Sequence, residues 1–597
     1  MKNKYINNIL GVLLLGGTLV GCKKDFLDRK PITQISTENF FNSPADLQLY
    51  VNKYYGTLGP ISEGNANGYC RYDANTDMLL LGNSYDTRLA GQNTIPSTGG
   101  WSYGNIRDVN IFFANFSKAQ GNQTDLDKFY GEASFFRAWF YFGNLINYGA
   151  IPIVDKPLPA EYEVVKDIPK SPRNQVVDFI LKDLDAAIDK LPLKSVATRG
   201  RLNKEAALLF KSRVALYEGT WEKYHAADVF GVPGSDGQKY LQAARDAAKA
   251  LMDLGTLKLY GNSISDYKKM FYSTDLSSVS EAILWKDYSV ASGIINRVQN
   301  YSNIALNAGA SKTFVESFLC LDGKPIKYNG TTNPLYQGDR NLDEVFKNRD
   351  PRLTASIAVP GYNLATNAVF QEPTLDKKDE FRDVTGYRIA KGFDNTLTIP
   401  ITTPSITGAL IFRYAEALLN YAEARAELGE LTQADLDLTV NKLRARAKNS
   451  DNTRVADLSI SGTGVTDADP QFSWGSSPIV NEIRRERMAE LNLEGFRRND
   501  LMRWAIADKI FSGGFRPLGM KYLGSSTQAY FVINNPAFDT NTVSGNGKAV
   551  YLDANGYLDP NKGALPAGFA FVKGRDYLVA LSINDMNLGN YPQNPGW

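Results

Sequence analysis

The sequence holds a single histidine, His225, among 597 residues. Histidine-rich metal sites, Ser-His-Asp triads and Cys-His pairs all need that residue in a defined role. His225 closes the run Trp221-Glu222-Lys223-Tyr224-His225 and reads as a surface or hydrogen-bonded histidine at a helix end. Cysteine is nearly as scarce, with three in all. An oxidising compartment would permit a disulfide between the distant Cys70 and Cys320; two buried thiols are the other reading. A charge excess is missing too. Residues 1–21 hold Lys2 and Lys4 and no acid, so the 66 Lys and Arg and the 64 Asp and Glu become equal in number beyond residue 21. Nucleic-acid binding and a polybasic membrane patch both need a basic surplus, so neither is expected. Beyond residue 21 no apolar run approaches about 20 residues, the length that spans a bilayer as a helix. The repeated alternating strands of an outer-membrane barrel are also lacking.

What is present begins at the N-terminus. Lys2 and Lys4 precede an apolar segment, Ile9 to Val20, too short for a stable transmembrane helix. It ends in Leu19-Val20-Gly21-Cys22, the pattern of a bacterial lipoprotein signal. Residues 1–21 are then a signal peptide, and Cys22 carries acyl chains on its thiol and new amine. With no surplus charge, attachment falls to the lipid, at about 0.8 kcal/mol per buried methylene. The polar, proline-broken stretch 23–35 reads with Cys22 as a tether (22–35), and the domain proper runs from 36 to 597.

The body is mainly α. Ser36-Thr37-Glu38-Asn39 reads as a cap ahead of Phe40-Phe41, and 45–55 as a helix. Apolar residues at three- and four-residue spacing mark helices over 125–148, 175–190, 204–217 and 239–254, then 410–428, 433–448, 479–494 and 499–509. The seam Tyr240, Ala243, Ala247 and Leu251 has small residues that let a neighbouring helix approach. Paired helices with such seams resemble degenerate tetratricopeptide units; an irregular α-domain is the alternative. Helical units thus occupy about 36–260 and 405–510, and the regions about 262–400 and 511–597 are loop-rich. Residues 59–100, rich in Gly, Asn and Tyr, read as a functional loop.

The densely charged stretch Glu482 to Trp504 reads as a structural salt-bridge network, because arginines this close hold carboxylates ionised. Asp553-Ala554-Asn555-Gly556 starts like a calcium loop, but its closing position is Ala564, so a turn is expected. A glycoside hydrolase needs two carboxylates at a set separation, and nothing in the sequence singles out two.

Several pieces recur in order: Cys22 with Asp25-Phe26-Leu27-Asp28; Glu132-Ala133 with Phe136-Arg137-Ala138; Tyr148-Gly149 with Ile151-Pro152. They continue with Arg413-Tyr414-Ala415-Glu416-Ala417, Glu486-Arg487, Glu490-Leu491, Glu494-Gly495 and Asp500-Leu501, and end in Gln593-Asn594-Pro595-Gly596-Trp597. Together they make the chain resemble the RagB/SusD family of nutrient-uptake outer-membrane lipoproteins. The resemblance implies a SusD-like α-superhelix of degenerate tetratricopeptide pairs with loop-rich insertions. It implies a place on the outer face of the outer membrane, capture of a glycan and delivery to a SusC-like TonB-dependent transporter beneath it. No catalysis and no cofactor are implied. A tetratricopeptide-type lipoprotein that binds peptides or envelope proteins is the alternative.

Aromatic rings cover the C–H face of a sugar, and amide, carboxylate and guanidinium groups meet its hydroxyls. Two segments offer that mixture: Tyr69, Tyr72, Asn83, Tyr85, Arg88 and Trp101 in the first, and Trp285, Tyr288, Arg297 and Tyr301, with Asp287 and Asn300, in the second. Trp101, Trp285 and Arg88 each have a structural reading as well. Trp139 and Trp504, inside helices, are expected in the core.

Overall fold

The computed structural model describes residues 40–59, 68–69, 71–82, 84–158, 168–301, 304–364, 368–397, 404–460, 469, 472–539 and 550–597. Cys22, the tether, Cys70 and Asn83 lie outside the described residues. Cys320 is a free, buried thiol, and burial pushes it up to about 11.

Helix α1 spans Pro44–Asn52, α2 Gly104–Asn115, α3 Gln123–Tyr148, α4 Arg173–Lys190, α5 Lys204–Tyr224 and α6 Gln238–Asp253. The cap of α1 is Ser43, closing a reciprocal box with Asp46; the cap expected over 36–39 lies outside the described residues. Phe40 and Phe41 sit in the core ahead of it. The Asn122 side chain caps α3, and Gly149, at φ 69°, ends it as the sequence predicts. Asn203 caps α5 by accepting from Ala206 N at 2.9 Å. Helices α3 to α6 pack in sequence as neighbours. At the α5–α6 seam a Cβ on Gly237 would stand 2.0 Å from the Gly219 carbonyl oxygen, so only glycine fits there. Helix α5 is buried all round because α4, α6 and later helices enclose it.

The chain then leaves the helical array, but not as loop alone. Helix α7 spans Ile264–Tyr272, and α8 is Pro351–Ser356. Short strands β1 (Leu79–Leu81) and β3 (Ala308–Ala310) pair antiparallel, as do β2 (Ala282–Lys286) and β4 (Ala409–Arg413). The return of the helical pattern at 410 is therefore mistaken by four residues: Leu410 to Arg413 is strand, held in register by Leu410 opposite Trp285. Helix α9 (Tyr414–Glu427) starts where that strand ends. The expected helix over 433–448 is two, α10 (Gln433–Leu438) and α11 (Val440–Arg446), broken at Thr439 with φ −126° and ψ −92°. Helix α12 is Pro478–Glu490 and α13 Arg497–Arg503. Among the described residues no helix is long and apolar enough to cross a membrane.

Two main cores result. One joins α1 to α6 with residues near the C-terminal end, including Leu565, Phe571, Tyr577 and Tyr591. The other fills the loop-rich part around Met270, Phe314, Leu353, Tyr387 and Met520. Strand β4 straddles them, with Phe412 in the first and Leu410 in the second.

The charged run forms a buried ion network, whose partners come mostly from other elements. Glu490 takes Arg352, Arg413 and Arg446; Glu486 takes Arg352 and Arg444; Arg487 takes Asp500. Only contacts such as Arg485 to Glu482 keep the three-residue helical spacing. This network bolts the loop-rich part to the helical array. His225 is fully buried, with Nδ1 2.6 Å from Asp228 and Nε2 2.9 Å from the Met502 carbonyl oxygen. Asp553 accepts from the Asn555 and Tyr557 amides, a turn as expected.

Candidate functional site

A cleft of about 500 Å³ opens between the helical array and the loop-rich part. Helix α3 supplies Trp139, Phe142, Gly143 and Ile146; β4 supplies Leu410, Ile411 and Arg413; α9 supplies Glu416. Arg213 of α5 and the turn Glu494-Gly495-Phe496 complete one wall, and Tyr69 and Tyr72 stand on the other side. Five aromatic rings thus line it, two of them carrying hydroxyls.

The rings are held by further rings. Tyr69 meets Tyr72 edge-on at 6.1 Å and Phe271 at 5.3 Å. Trp139 is half-buried against Phe210 and Phe412. Burial raises the Tyr69 and Tyr72 hydroxyls above the ordinary tyrosine range, so both are neutral donors. The Tyr72 hydroxyl is buried without a hydrogen-bond partner among the described residues.

The charges of the cleft come as two bidentate pairs. Arg213 gives Glu416 hydrogen bonds of 2.6 Å from Nε and 2.6 Å from Nη2, its guanidinium lying over Phe412 and Phe496. Arg413 gives Glu494 two of 2.7 Å. Behind Glu494, Lys391 donates at 2.8 Å; burial draws this ammonium down to about 8 against the pull of Glu494. Burial alone would raise Glu494, but Arg413 and Lys391 outweigh it and hold the carboxyl below its usual range. Glu494, held ionised by Arg413 and Lys391, is a poor proton donor.

The structure divides the predicted site residues. Tyr69, Tyr72 and Tyr288 come together, Tyr288 packing beside Tyr72. Trp285 is next to the cleft, across the ladder from Leu410, buried with its Nε1 donating to Asp287 at 2.9 Å. Tyr85, Arg88 and Trp101 turn elsewhere. Tyr85 donates to Gln92 at 2.8 Å and meets Phe569. Arg88 is buried, spending its guanidinium on the carbonyls of Asp576 and Tyr577. Trp101 is packed against Tyr591, with ring centroids 4.9 Å apart. These three belong to the seam with the C-terminal segment, which no sequence spacing announces. Arg297 is exposed; Tyr301 ends the short helix Val298–Tyr301, and its side chain lies outside the described part.

Trp504 is core, at 1% exposed, but Trp139 is corrected from core to cleft wall. Sequence reading also passed over Phe142, Arg213 and Phe496 as site residues. One signal was available: Gly143, inside the later part of a 26-residue helix, a position where glycine costs about 1 kcal/mol against alanine. No atom lies within 4 Å of a Cβ placed there, so the missing side chain leaves the cleft open.

The model of the SusD family matches residues 280–597, more than half of the chain, and a second model, described as starch-binding associating with outer membrane, matches 25–216. SusD-like protein P2 of Formosa agariphila is 23% identical over 526 residues, covering 85% of this chain and 92% of its own. The crystal structure of a SusD-like carbohydrate binding protein from Bacteroides fragilis superposes with a TM-score of 0.68 at 21% identity, covering 92% of this chain and 99% of that one. A laminarin binding SusD-like protein gives 0.54 at 18%, over 93% and 100%. The α-superhelix with its loop-rich excursions is the fold these share, and by the family match over 280–597 this chain belongs to the SusD family.

Proposed function

We propose that the protein is a non-catalytic, lipid-anchored outer-membrane receptor that binds a glycan in the Tyr69–Trp139 cleft and delivers it to a SusC-like TonB-dependent transporter, over which it sits as a lid. The observation that carries the reading is the cleft itself. Aromatic faces suited to sugar C–H groups stand beside the Arg213–Glu416 pair, the Glu494 carboxylate and a Tyr72 hydroxyl without a partner among the described residues, groups suited to sugar hydroxyls. The carbohydrate-binding neighbours of the same fold lend support, as does the outer-membrane association in the description of the model matching 25–216. Cys22 supplies the anchor, and Tyr288 and Trp285, beside the cleft, extend the binding surface; Arg297, Tyr301 and Asn83 are further candidates for glycan contact.

The test is a glycan array followed by calorimetric titration, with laminarin as the first probe, on the protein and on Trp139→Ala. Binding that weakens in the variant, without any release of reducing ends, is the outcome this reading requires. Hydrolysis of the glycan by purified protein would sink it, as would glycan binding indifferent to Trp139, or peptide binding in its place. Pull-down from solubilised membranes reports on the transporter.

A further inference from the structure

A second hollow, of about 650 Å³, lies away from the cleft, between the start of α4, the loop Val229–Pro233 and the C-terminal segment. Helix α4 has 18 residues and begins after Pro172, which offers it no side-chain cap. Its first N–H groups have no carbonyl within the helix, and the helix dipole makes this end positive. Arg173, the first residue of the helix, lines the hollow and is only 5% exposed. Its Nε and Nη2 are committed to Glu218, but its Nη1 is buried with no partner among the described residues. That Nη1 is turned toward Gly149, another lining residue, 3.8 Å from where a Cβ there would sit. Lys170 stands on the same wall. Its Nζ donates to the Pro592 carbonyl at 3.0 Å and to Asn594 at 3.4 Å, leaving a third proton.

Glu218, beneath Arg173, is the one fully buried acid paired to it. Glu222 lies nearby, and burial together with Glu218 pushes its carboxyl up to about 7, so it carries only part of a charge at neutral pH. Among the described residues, two cations and a helix N-terminus therefore face one full negative charge. The rest of the hollow is mainly apolar, with Phe230 and Tyr591 flanked by prolines and by Asn590 and Asn594.

We propose that this hollow binds an oxyanion, a carboxylate or a sulfate, between Lys170 Nζ, Arg173 Nη1 and the first turn of α4. Phe230 and Tyr591 then cover the apolar face of whatever ring bears the group. The anion is either free or a substituent of an acidic saccharide, and the two share the same contacts.

The experiment titrates full-length protein with inorganic sulfate and with glucuronate, each against chloride at equal ionic strength, by calorimetry and thermal shift. Binding of at least one is expected, weakened about tenfold or more in Lys170→Glu, where a like charge replaces the donor. Lys170→Arg retains it, and so does Lys249→Ala on the exposed face of α6. Sulfate without glucuronate assigns a free ion; glucuronate assigns a saccharide acid. Absence of binding by both, or undiminished binding in a folded Lys170→Glu protein, overturns the proposal. Glycan binding in the cleft is measured separately, so failure here leaves that reading untouched, and the reverse.

Discussion

Arg413 and Glu494 face each other in a two-point clasp, 2.7 Å from Nε and 2.7 Å from Nη2, at the junction of strand and cleft. The same guanidinium also serves Glu281 and Glu490 through Nη1, at 2.8 Å each, and the Glu490 carbonyl through Nη2. All five of its N–H donors are spent inside the protein. Its loss leaves buried carboxylates short of a partner. Arg413→Met is expected to lose about 3–5 kcal/mol in urea denaturation. Arg199, half exposed and paired with Asp275 and Asp287, is the contrast: Arg199→Ala is expected to cost about 1 kcal/mol or less.

Gly143 separates stability from access. Gly143→Ala puts a methyl into open space on a helix and is expected to add about 0.5–1 kcal/mol. Gly143→Leu is expected to fold as well but to fill the cleft and abolish glycan capture. Denaturation curves and titration of the two variants check both halves.

Acid sensitivity has an identifiable source in Glu423. Burial would raise this carboxyl, but Arg503, with Arg487 and Arg484, outweighs burial and holds it at about 2. Trp504 Nε1 adds a hydrogen bond of 2.7 Å. The folded value lies below the unfolded value of 4.5, so the stability it contributes is whole above 4.5 and is lost as pH falls toward 2. The contribution is about 3 kcal/mol at neutral pH. In Glu423→Gln, stability is expected to fall less steeply over that window, from a lower neutral value; denaturation at several pH values measures the slope.

Cys22→Ala is expected to release the protein from the membrane fraction while leaving glycan affinity unchanged. Fractionation and titration test the two parts. Retained membrane attachment would remove the lipid from the account.

Much of the helical array was readable because its causes are local. The end of α3 at Tyr148 and the start of α5 at Lys204 fall where the apolar spacing puts them, although the Asn122 and Asn203 caps went unread. The strand at Leu410–Arg413 was not readable, because its partner Trp285 comes from far earlier in the chain and its apolar residues run straight into α9. Site residues divided along the same line. Tyr69, Tyr72 and Tyr288 meet because strands and turns gather them, yet their chemistry alone drew notice. Arg88 and Trp101 have the same chemistry but are claimed by residues near 576 and 591, a long-range event that composition does not encode. Trp139 was missed because one turn of an apolar helix looks like another until the neighbour on that face is known to be absent.

The pinning of Arg88 to the carbonyls of Asp576 and Tyr577, and of Trp101 to Tyr591, sets an order of events. The Tyr591 hydroxyl also binds the Ile168 carbonyl at 2.9 Å. Helices made early in synthesis share their core with residues 565–591 and cannot close it until those residues arrive. Contacts spanning most of a polypeptide close slowly. During synthesis the front half therefore waits, half-built and unable to commit. A ribosome that stops early should leave behind a fragment with an open flank, the kind that quality-control proteases clear.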